Sequence, residues 1–123
     1  MQKHSLLIAS CDAVLAGIFV RRFSREGWDV VVVDGIKDAE YKAVKMRPSI
    51  FLFDTSCTID VAHEVKRLRA LPTLRKTKIV LLSERADMSS IRAGLAAGAS
   101  EYVLTRHVIP AEVVTKMKKL IGA

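Results

Sequence analysis

A short apolar run at residues 50–53 (IFLF) constrains the fold of this chain more than any other feature of its sequence. Pro48 precedes the run, and a cluster of small polar residues follows it. Four consecutive apolar residues, rich in β-branched and aromatic side chains, indicate a central strand that is buried on both faces. The run ends on a carboxylate, Asp54. Because ligands of open parallel sheets collect at the carboxyl ends of the strands, Asp54 is the first candidate functional residue.

Further strand patterns alternate with helical patterns along the 123 residues, a length that fits one domain over 1–123. The other predicted strands cover residues 6–9, 30–33, 79–82 and 102–104. The predicted helices cover residues 12–26, 37–46, 60–70 and 87–97, and a last helix opens at Pro110. Five strands alternating with five helices predict a parallel sheet with helices on both faces, and right-handed crossovers make it a three-layer doubly wound α/β domain. Periodicity leaves the strand order open.

The first helical pattern, at residues 12–26, has a predicted cap, a predicted terminus and a predicted core-facing side. Asp12 is its predicted N-cap, and Gly27 is its predicted left-handed terminus. Five apolar residues recur there at helical spacing and predict its core-facing side: Val14, Leu15, Ile18, Phe19 and Phe23.

Six segments, in this order and at this spacing, resemble a response-regulator receiver domain of the CheY type over essentially the whole chain: LLIASCD, EGWDVVVVDG, RPSIFLFD, IDVAHEVKRLR, KIVLLSE and AGASEYVL. The resemblance implies the flavodoxin-like strand order 2-1-3-4-5. It also implies a non-enzymatic signalling domain of a bacterial-type two-component or phosphorelay system.

The resemblance assigns roles to four residues. Asp54 stands where receivers accept a phosphoryl group, and Ser83 stands where a hydroxyl contacts the phosphoryl oxygens. Tyr102 holds the position of the aromatic residue that swings inward on activation. Ser56 would offer its backbone carbonyl to Mg²⁺.

The chain also departs from the family pattern. The acidic pair that holds Mg²⁺ in receivers is replaced by Ser10 and Cys11, while Asp12 is expected to point outward as a helix cap. Mg²⁺ usually binds proteins through one or two carboxylates, so we expect weak Mg²⁺ binding at best and no resident cofactor. The family lysine after the fifth strand aligns with Thr105, and Arg106 is the candidate substitute for its charge.

These departures favour a pseudo-receiver that acts by partner binding, with Mg²⁺-dependent phosphorylation of Asp54 weakened or lost. Two alternatives stay open: a phosphorylation-competent receiver that uses Asp54, and a sensor of an anionic, nucleotide-type ligand. The implied partner is a histidine kinase or an output domain or protein. Its expected docking face is the last helix and its neighbours, where Lys116, Lys118 and Lys119 cluster, and homodimerisation through the last helices and strand five is a further expectation.

The net charge and the composition indicate which partners and which cellular location to expect for this chain. The net charge of +7 and the pI near 9.7 favour anionic partners. The basic residues are scattered and no aromatic residues interleave with them, so we do not expect nucleic-acid binding by this domain itself. No apolar run approaches the ~20 residues that span a bilayer, and no signal peptide is evident. Together with two cysteines, these features predict a cytoplasmic location without membrane insertion.

The two cysteines, Cys11 and Cys57, have no metal-binding spacing. In the 2-1-3 order implied by the family, both lie in loops that rim the Asp54 pocket. They are interpreted either as small side chains that fill loop space or as a redox-responsive pair.

Overall fold

The computed structural model describes residues 3–84, 88–105 and 109–122, and in these ranges five strands alternate with five α-helices. The strands are β1 (Ser5–Ala9), β2 (Asp29–Val33), β3 (Ile50–Asp54), β4 (Lys78–Ser83) and β5 (Glu101–Leu104). The helices are α1 (Ala13–Arg25), α2 (Ile36–Met46), α3 (Val61–Arg69), α4 (Met88–Ala97) and α5 (Pro110–Leu120). Short 3₁₀ turns cover Thr55–Cys57 and Pro72–Leu74. The predicted elements are confirmed, and the predicted ends differ from the observed ones by at most one residue.

All strand pairs are parallel, and the sheet order is β2-β1-β3-β4-β5. The central strand β3 pairs with β1 on one side and with β4 on the other, and all five of its residues are buried. The predicted α/β doubly wound fold and the order 2-1-3-4-5 are therefore confirmed. This order brings the carboxyl ends of β1, β3 and β4 to one edge of the sheet.

Two hydrophobic cores lie on opposite faces of the sheet, because successive residues of a strand point to opposite sides. In β1, Leu6 and Ile8 enter the core covered by α1 and α5, whereas Leu7 and Ala9 enter the core covered by α2 and α3. Phe51 and Phe53 belong to the second core, where their rings stack 6.1 Å apart. Helices on both faces of one sheet give the predicted three layers.

Helix α1 confirms its predicted cap and corrects one predicted core residue. The Asp12 carboxylate accepts hydrogen bonds from the backbone N–H groups of Val14 and Leu15 at 3.0 and 3.1 Å. Val14, predicted to be buried, is 75% exposed. Phe19 and Phe23 are buried and Leu15 packs against their core. These three are four residues apart and form one helix face, and Val14 is rotated about 100° from it.

The ends of two helices also match the sequence. Gly27 adopts φ +86° after α1, the left-handed conformation that glycine tolerates. Pro110 is the first residue of α5, as predicted. The predicted cap of α4, Asp87, lies outside the described residues. None of the helices in the described ranges is long and apolar enough to cross a membrane.

Candidate functional site

Asp54 ends the central strand, and its side chain is held by three hydrogen bonds. The residue is 6% exposed. Its Oδ1 accepts from the backbone N–H of Ser56 at 3.0 Å and from the Ser56 hydroxyl at 2.8 Å. Its Oδ2 accepts from the Ser10 hydroxyl at 3.0 Å. Both carboxylate oxygens therefore already have neutral donors, as a buried charged group requires.

The sequence did not predict the contact of Ser10 with Asp54, because comparison with the family pattern shows only that an acid is replaced at this position. It follows β1 directly and is 5% exposed. Its backbone N–H donates to the Val33 carbonyl at 3.2 Å, and its Oγ accepts from the Asp12 N–H at 3.1 Å. Since β1 neighbours β3 in the sheet, a hydroxyl directly after β1 can reach the carboxylate that ends β3. The pairing of β1 with β3 is therefore the feature from which the contact between Ser10 and Asp54 could have been predicted.

The side chains around Asp54 do not fit a Mg²⁺ site. Mg²⁺ demands near-octahedral oxygen ligands and usually binds through one or two carboxylates. Here the Ser10 hydroxyl donates to Asp54, Cys11 offers a thiol, and the Asp12 carboxylate caps α1. Within the described ranges, no three His, Cys, Asp or Glu side chains are grouped to hold a metal ion.

The other predicted site residues lie on β4 and β5. Ser83 ends β4 and is 8% exposed, and its carbonyl accepts from the Thr105 N–H at 2.9 Å. Tyr102 is half-buried on β5 and packs against the core on the α2–α3 side of the sheet. Thr105 follows β5 with a neutral side chain, at the position where the family resemblance leads to the expectation of a lysine. Arg106, the predicted substitute for that lysine, lies outside the described residues.

A cleft of about 370 Å³ lies between the loop after β3, the end of β4 and helix α4. Ser56 and Ser83 both line it, so the structure brings these two predicted residues to one cavity. Glu84 is the charged residue of its described lining, and no Lys or Arg side chain from the described ranges joins it. In its described lining, hydroxyl groups and one carboxylate therefore lie beside apolar side chains.

The thiols of Cys11 and Cys57 meet beside this site, with their Sγ atoms 2.7 Å apart. Cys11 is exposed, Cys57 is half-buried, and both are free cysteines. Burial, the hydrogen bond with Cys11 and the charge of Asp54 raise the pKa of Cys57 to about 12. Both residues lie in the segments that follow β1 and β3, as the expected strand order implies.

The three lysines predicted to form a docking face do not share one environment. Lys116 Nζ lies 3.5 Å from the Tyr102 carbonyl and 3.8 Å from Glu101 Oε1 on β5. Lys118 Nζ instead donates to Glu26 Oε1 at 2.9 Å, next to α1, and this contact lowers the pKa of Glu26. Lys119 is exposed. Sequence reasoning missed the acidic partners, which are distant along the chain.

Comparisons with known proteins agree with this architecture. No family model matches the chain. It is 25% identical over 120 residues to the DNA-binding response regulator MtrA of Mycolicibacterium paratuberculosis, an alignment that covers 94% of this chain and 50% of MtrA. The chain thus spans about half the length of the curated relatives it matches.

Solved structures of other proteins superpose on this chain over nearly its whole length. A candidate response regulator from Chloroflexus aurantiacus superposes with a TM-score of 0.88 at 26% identity, covering 99% of this chain and 100% of that one. A CheY-like receiver domain protein from Methanospirillum hungatei superposes with a TM-score of 0.88 at 18% identity, covering 98% and 95%.

Proposed function

We infer that this chain is a CheY-like response-regulator receiver domain of two-component signalling, a signalling module rather than a classical enzyme, and we propose that it is a pseudo-receiver. In this proposal the domain signals by binding a protein partner, either a histidine kinase or an output domain or protein. Phosphorylation of Asp54 that depends on Mg²⁺ is weakened or lost.

The hydrogen bond from Ser10 to Asp54 is the observation that carries this proposal. Phosphoryl transfer relies on positioning and on cations that neutralise the charge developing on the phosphoryl oxygens. In this chain a neutral hydroxyl takes the place of an acid, and it donates to the carboxylate that would attack. The described lining of the adjacent cleft adds a carboxylate, Glu84, and no cation. Each of these features disfavours a phosphoryl group at Asp54.

Titration of Mg²⁺ and beryllofluoride, followed by the backbone amide resonances of Ser56 and Ser83, tests the proposal. We expect Mg²⁺ affinity in the millimolar range or weaker, because the charged ligands are missing. We also expect no stoichiometric beryllofluoride adduct. Micromolar Mg²⁺ affinity together with such an adduct would instead establish a phosphorylation-competent receiver that uses Asp54.

A pair of matched variants isolates the missing acids as the cause. The double substitution Ser10→Asp with Cys11→Asp is expected to create Mg²⁺ binding beside Asp54. The double substitution Ser10→Asn with Cys11→Asn has nearly the same size without the charge and is expected to bind no better than the parent. If both doubles behave alike, the acidic pair is not the reason for weak metal binding.

For the partner, we propose docking on α5 with its neighbours α4 and β5, the same elements that would form a homodimer. Lys116 and Lys119 are both exposed there; Lys116 contacts Glu101, and the half-buried Lys118 contacts Glu26. Exposed charges of this kind mainly set association rate. Sedimentation of the parent and of Lys119→Glu over a range of concentrations tests self-association: a dimer that persists unchanged in the variant would place the interface elsewhere.

A second candidate function, the sensing of an anionic ligand, is favoured by a basic cleft at the opposite end of the sheet. This cavity of about 950 Å³ is lined by four cationic residues: Arg47, Arg75, Lys76 and Lys78. No acidic side chain belongs to the part of its lining that the structure describes. Isothermal titration with cyclic dinucleotides, on the parent and on the double variant Arg75→Glu with Lys76→Glu, tests it. Heat of binding that is absent from the variant would support the sensor.

A further inference from the structure

We propose that Cys11 and Cys57 are a redox modification site, in which a hydroperoxide converts the two thiols into a reversible disulfide beside Asp54. Their sulfur atoms already lie 2.7 Å apart. A disulfide bond is about 2.05 Å long, so the two sulfurs need to approach by only about 0.6 Å. This inference does not depend on the pseudo-receiver proposal, because it concerns the thiols and not phosphorylation of Asp54.

Rigid elements hold the two thiols in place. Cys11 follows β1, Cys57 ends the 3₁₀ turn after β3, and the two strands are paired neighbours in the sheet. The hydrogen bond between Ser10 and Asp54 joins the same two segments one step deeper. The approach of the sulfur atoms is therefore supported by a second, independent contact between segments that are 46 residues apart in sequence.

The solvent exposure of the two cysteines determines which thiol is oxidised first. Cys11 is exposed, so a dissolved hydroperoxide reaches its sulfur first, whereas Cys57 is half-buried behind it. These are the only two cysteines in the chain. A disulfide within one molecule therefore has a single pairing, and any other oxidised product is distinguishable from it.

The chemistry balances in two steps. The Cys11 sulfur attacks the terminal oxygen of the hydroperoxide, a sulfur–oxygen bond forms, the oxygen–oxygen bond breaks, and an alcohol (or water, for hydrogen peroxide) leaves. The Cys57 sulfur then attacks the Cys11 sulfenic acid, the disulfide forms, and the oxygen leaves as water. The two thiols together lose two protons and two electrons, and the peroxide is reduced by two electrons. A dithiol such as dithiothreitol reverses the modification.

The disulfide clamps the loop after β1 to the turn after β3. Cross-linking residues this far apart in sequence removes conformational freedom from the unfolded chain. We expect the Tm of the oxidised protein to rise by on the order of 10 °C.

The test treats the reduced chain of 123 residues with hydrogen peroxide, and follows it by non-reducing peptide mass spectrometry and thiol titration. The expected product is a monomer that has lost both thiols, contains a Cys11–Cys57 peptide, melts at the higher Tm, and returns to the starting state with dithiothreitol. Free thiols after treatment, sulfinic acid at Cys11, or a disulfide between two chains would each overturn the proposal, provided that circular dichroism shows an intact fold.

Two single variants test the proposal independently of the disulfide-linked peptide, because each variant contains only one of the two thiols. In Cys57→Ser, the sulfenic acid at Cys11 is expected to accumulate and to react with dimedone. In Cys11→Ser, loss of the remaining thiol is expected to be at least about tenfold slower, because Cys57 is shielded from solvent. Equal oxidation rates in the two variants would contradict the assigned order and the paired site with it.

Discussion

At the scale of single residues, Ser10 helps to explain how the Asp54 carboxylate is stabilised while buried at this edge of the sheet. An acid in its place would set a second negative charge against Asp54, and like charges in a shared pocket repel. The Ser10 hydroxyl instead donates a hydrogen bond of 3.0 Å to the buried carboxylate. Neutral donors therefore satisfy both carboxylate oxygens of Asp54.

Ser10→Ala is expected to destabilise the domain by about 1.5–3 kcal/mol, the usual range for a hydrogen bond to a charged group. Removing the hydroxyl leaves Oδ2 of Asp54 without the donor seen here. Urea unfolding of the parent and the variant measures the difference. The control is the same substitution in an Asp54→Asn background, where no charge is left to stabilise and the cost should be smaller. An equal cost in both backgrounds would show that the bond to Asp54 is not responsible.

Cys57 is expected to alkylate more slowly than an ordinary thiol, because the thiolate is the reacting form and burial, Cys11 and Asp54 raise the pKa of Cys57 to about 12. Its rate with iodoacetamide should keep rising as the pH increases from 9 towards 11, whereas a thiol with the ordinary pKa of 9.0 would level off. Asp54→Asn removes one of the causes and should speed the reaction about two- to fivefold at fixed pH. Peptide mass spectrometry gives the rate, and a plateau near pH 9 would contradict the raised pKa.

At the scale of secondary structure, most elements could be predicted because their signals are local. The apolar run that forms β3, the Asp12 cap and Pro110 at the start of α5 each act within a few residues. The prediction for Val14 is wrong because apolar residues occur on more than one side of α1, and only tertiary packing selects the buried side. The strand order follows from the family resemblance, since periodicity carries no information about which strands pair.

Glycines in two helices are expected to respond in opposite ways to the same substitution. A Cβ at Gly17 in α1 would meet the flexible end of the Arg21 side chain at 3.7 Å, an ordinary contact distance, so Gly17→Ala should stabilise by about 0.5–1 kcal/mol through helix propensity. A Cβ at Gly94 in α4 would lie 2.6 Å from the Leu81 side chain, which is fully buried. Overpacking costs about 1–3 kcal/mol, so Gly94→Ala should be destabilising overall.

Thermal and urea unfolding of the two single variants measure this contrast. Each variant serves as the control for the other, because the intrinsic helix gain is the same in both. A stabilised Gly94→Ala would mean that Leu81 moves aside at little cost, and that the close approach of α4 to β4 does not require glycine.

At the scale of the whole molecule, the site could be predicted only in part. The fold brings Asp54, Ser56, Ser10 and both cysteines to one edge of the sheet, as expected from strand order. The hydrogen bond from Ser10 and the acidic partners of the lysines could not be read from the sequence, because each depends on side-chain direction between distant segments.

The net charge of +7 leads to a final prediction, which concerns the dependence of the Tm on salt. Like charges repel one another in the compact state, and three of the described ion pairs are largely exposed, so each of these three contributes little. Raising NaCl from 10 to 200 mM shortens the screening length, weakens the repulsion, and should raise the Tm at pH 7 by on the order of 2 °C. The triple variant with Arg75, Lys76 and Lys119 each changed to Glu has a net charge of +1, because each reversal changes the charge by two. It is expected to lose most of the salt dependence. A Tm that falls with NaCl in the parent would show instead that the ion pairs outweigh the repulsion.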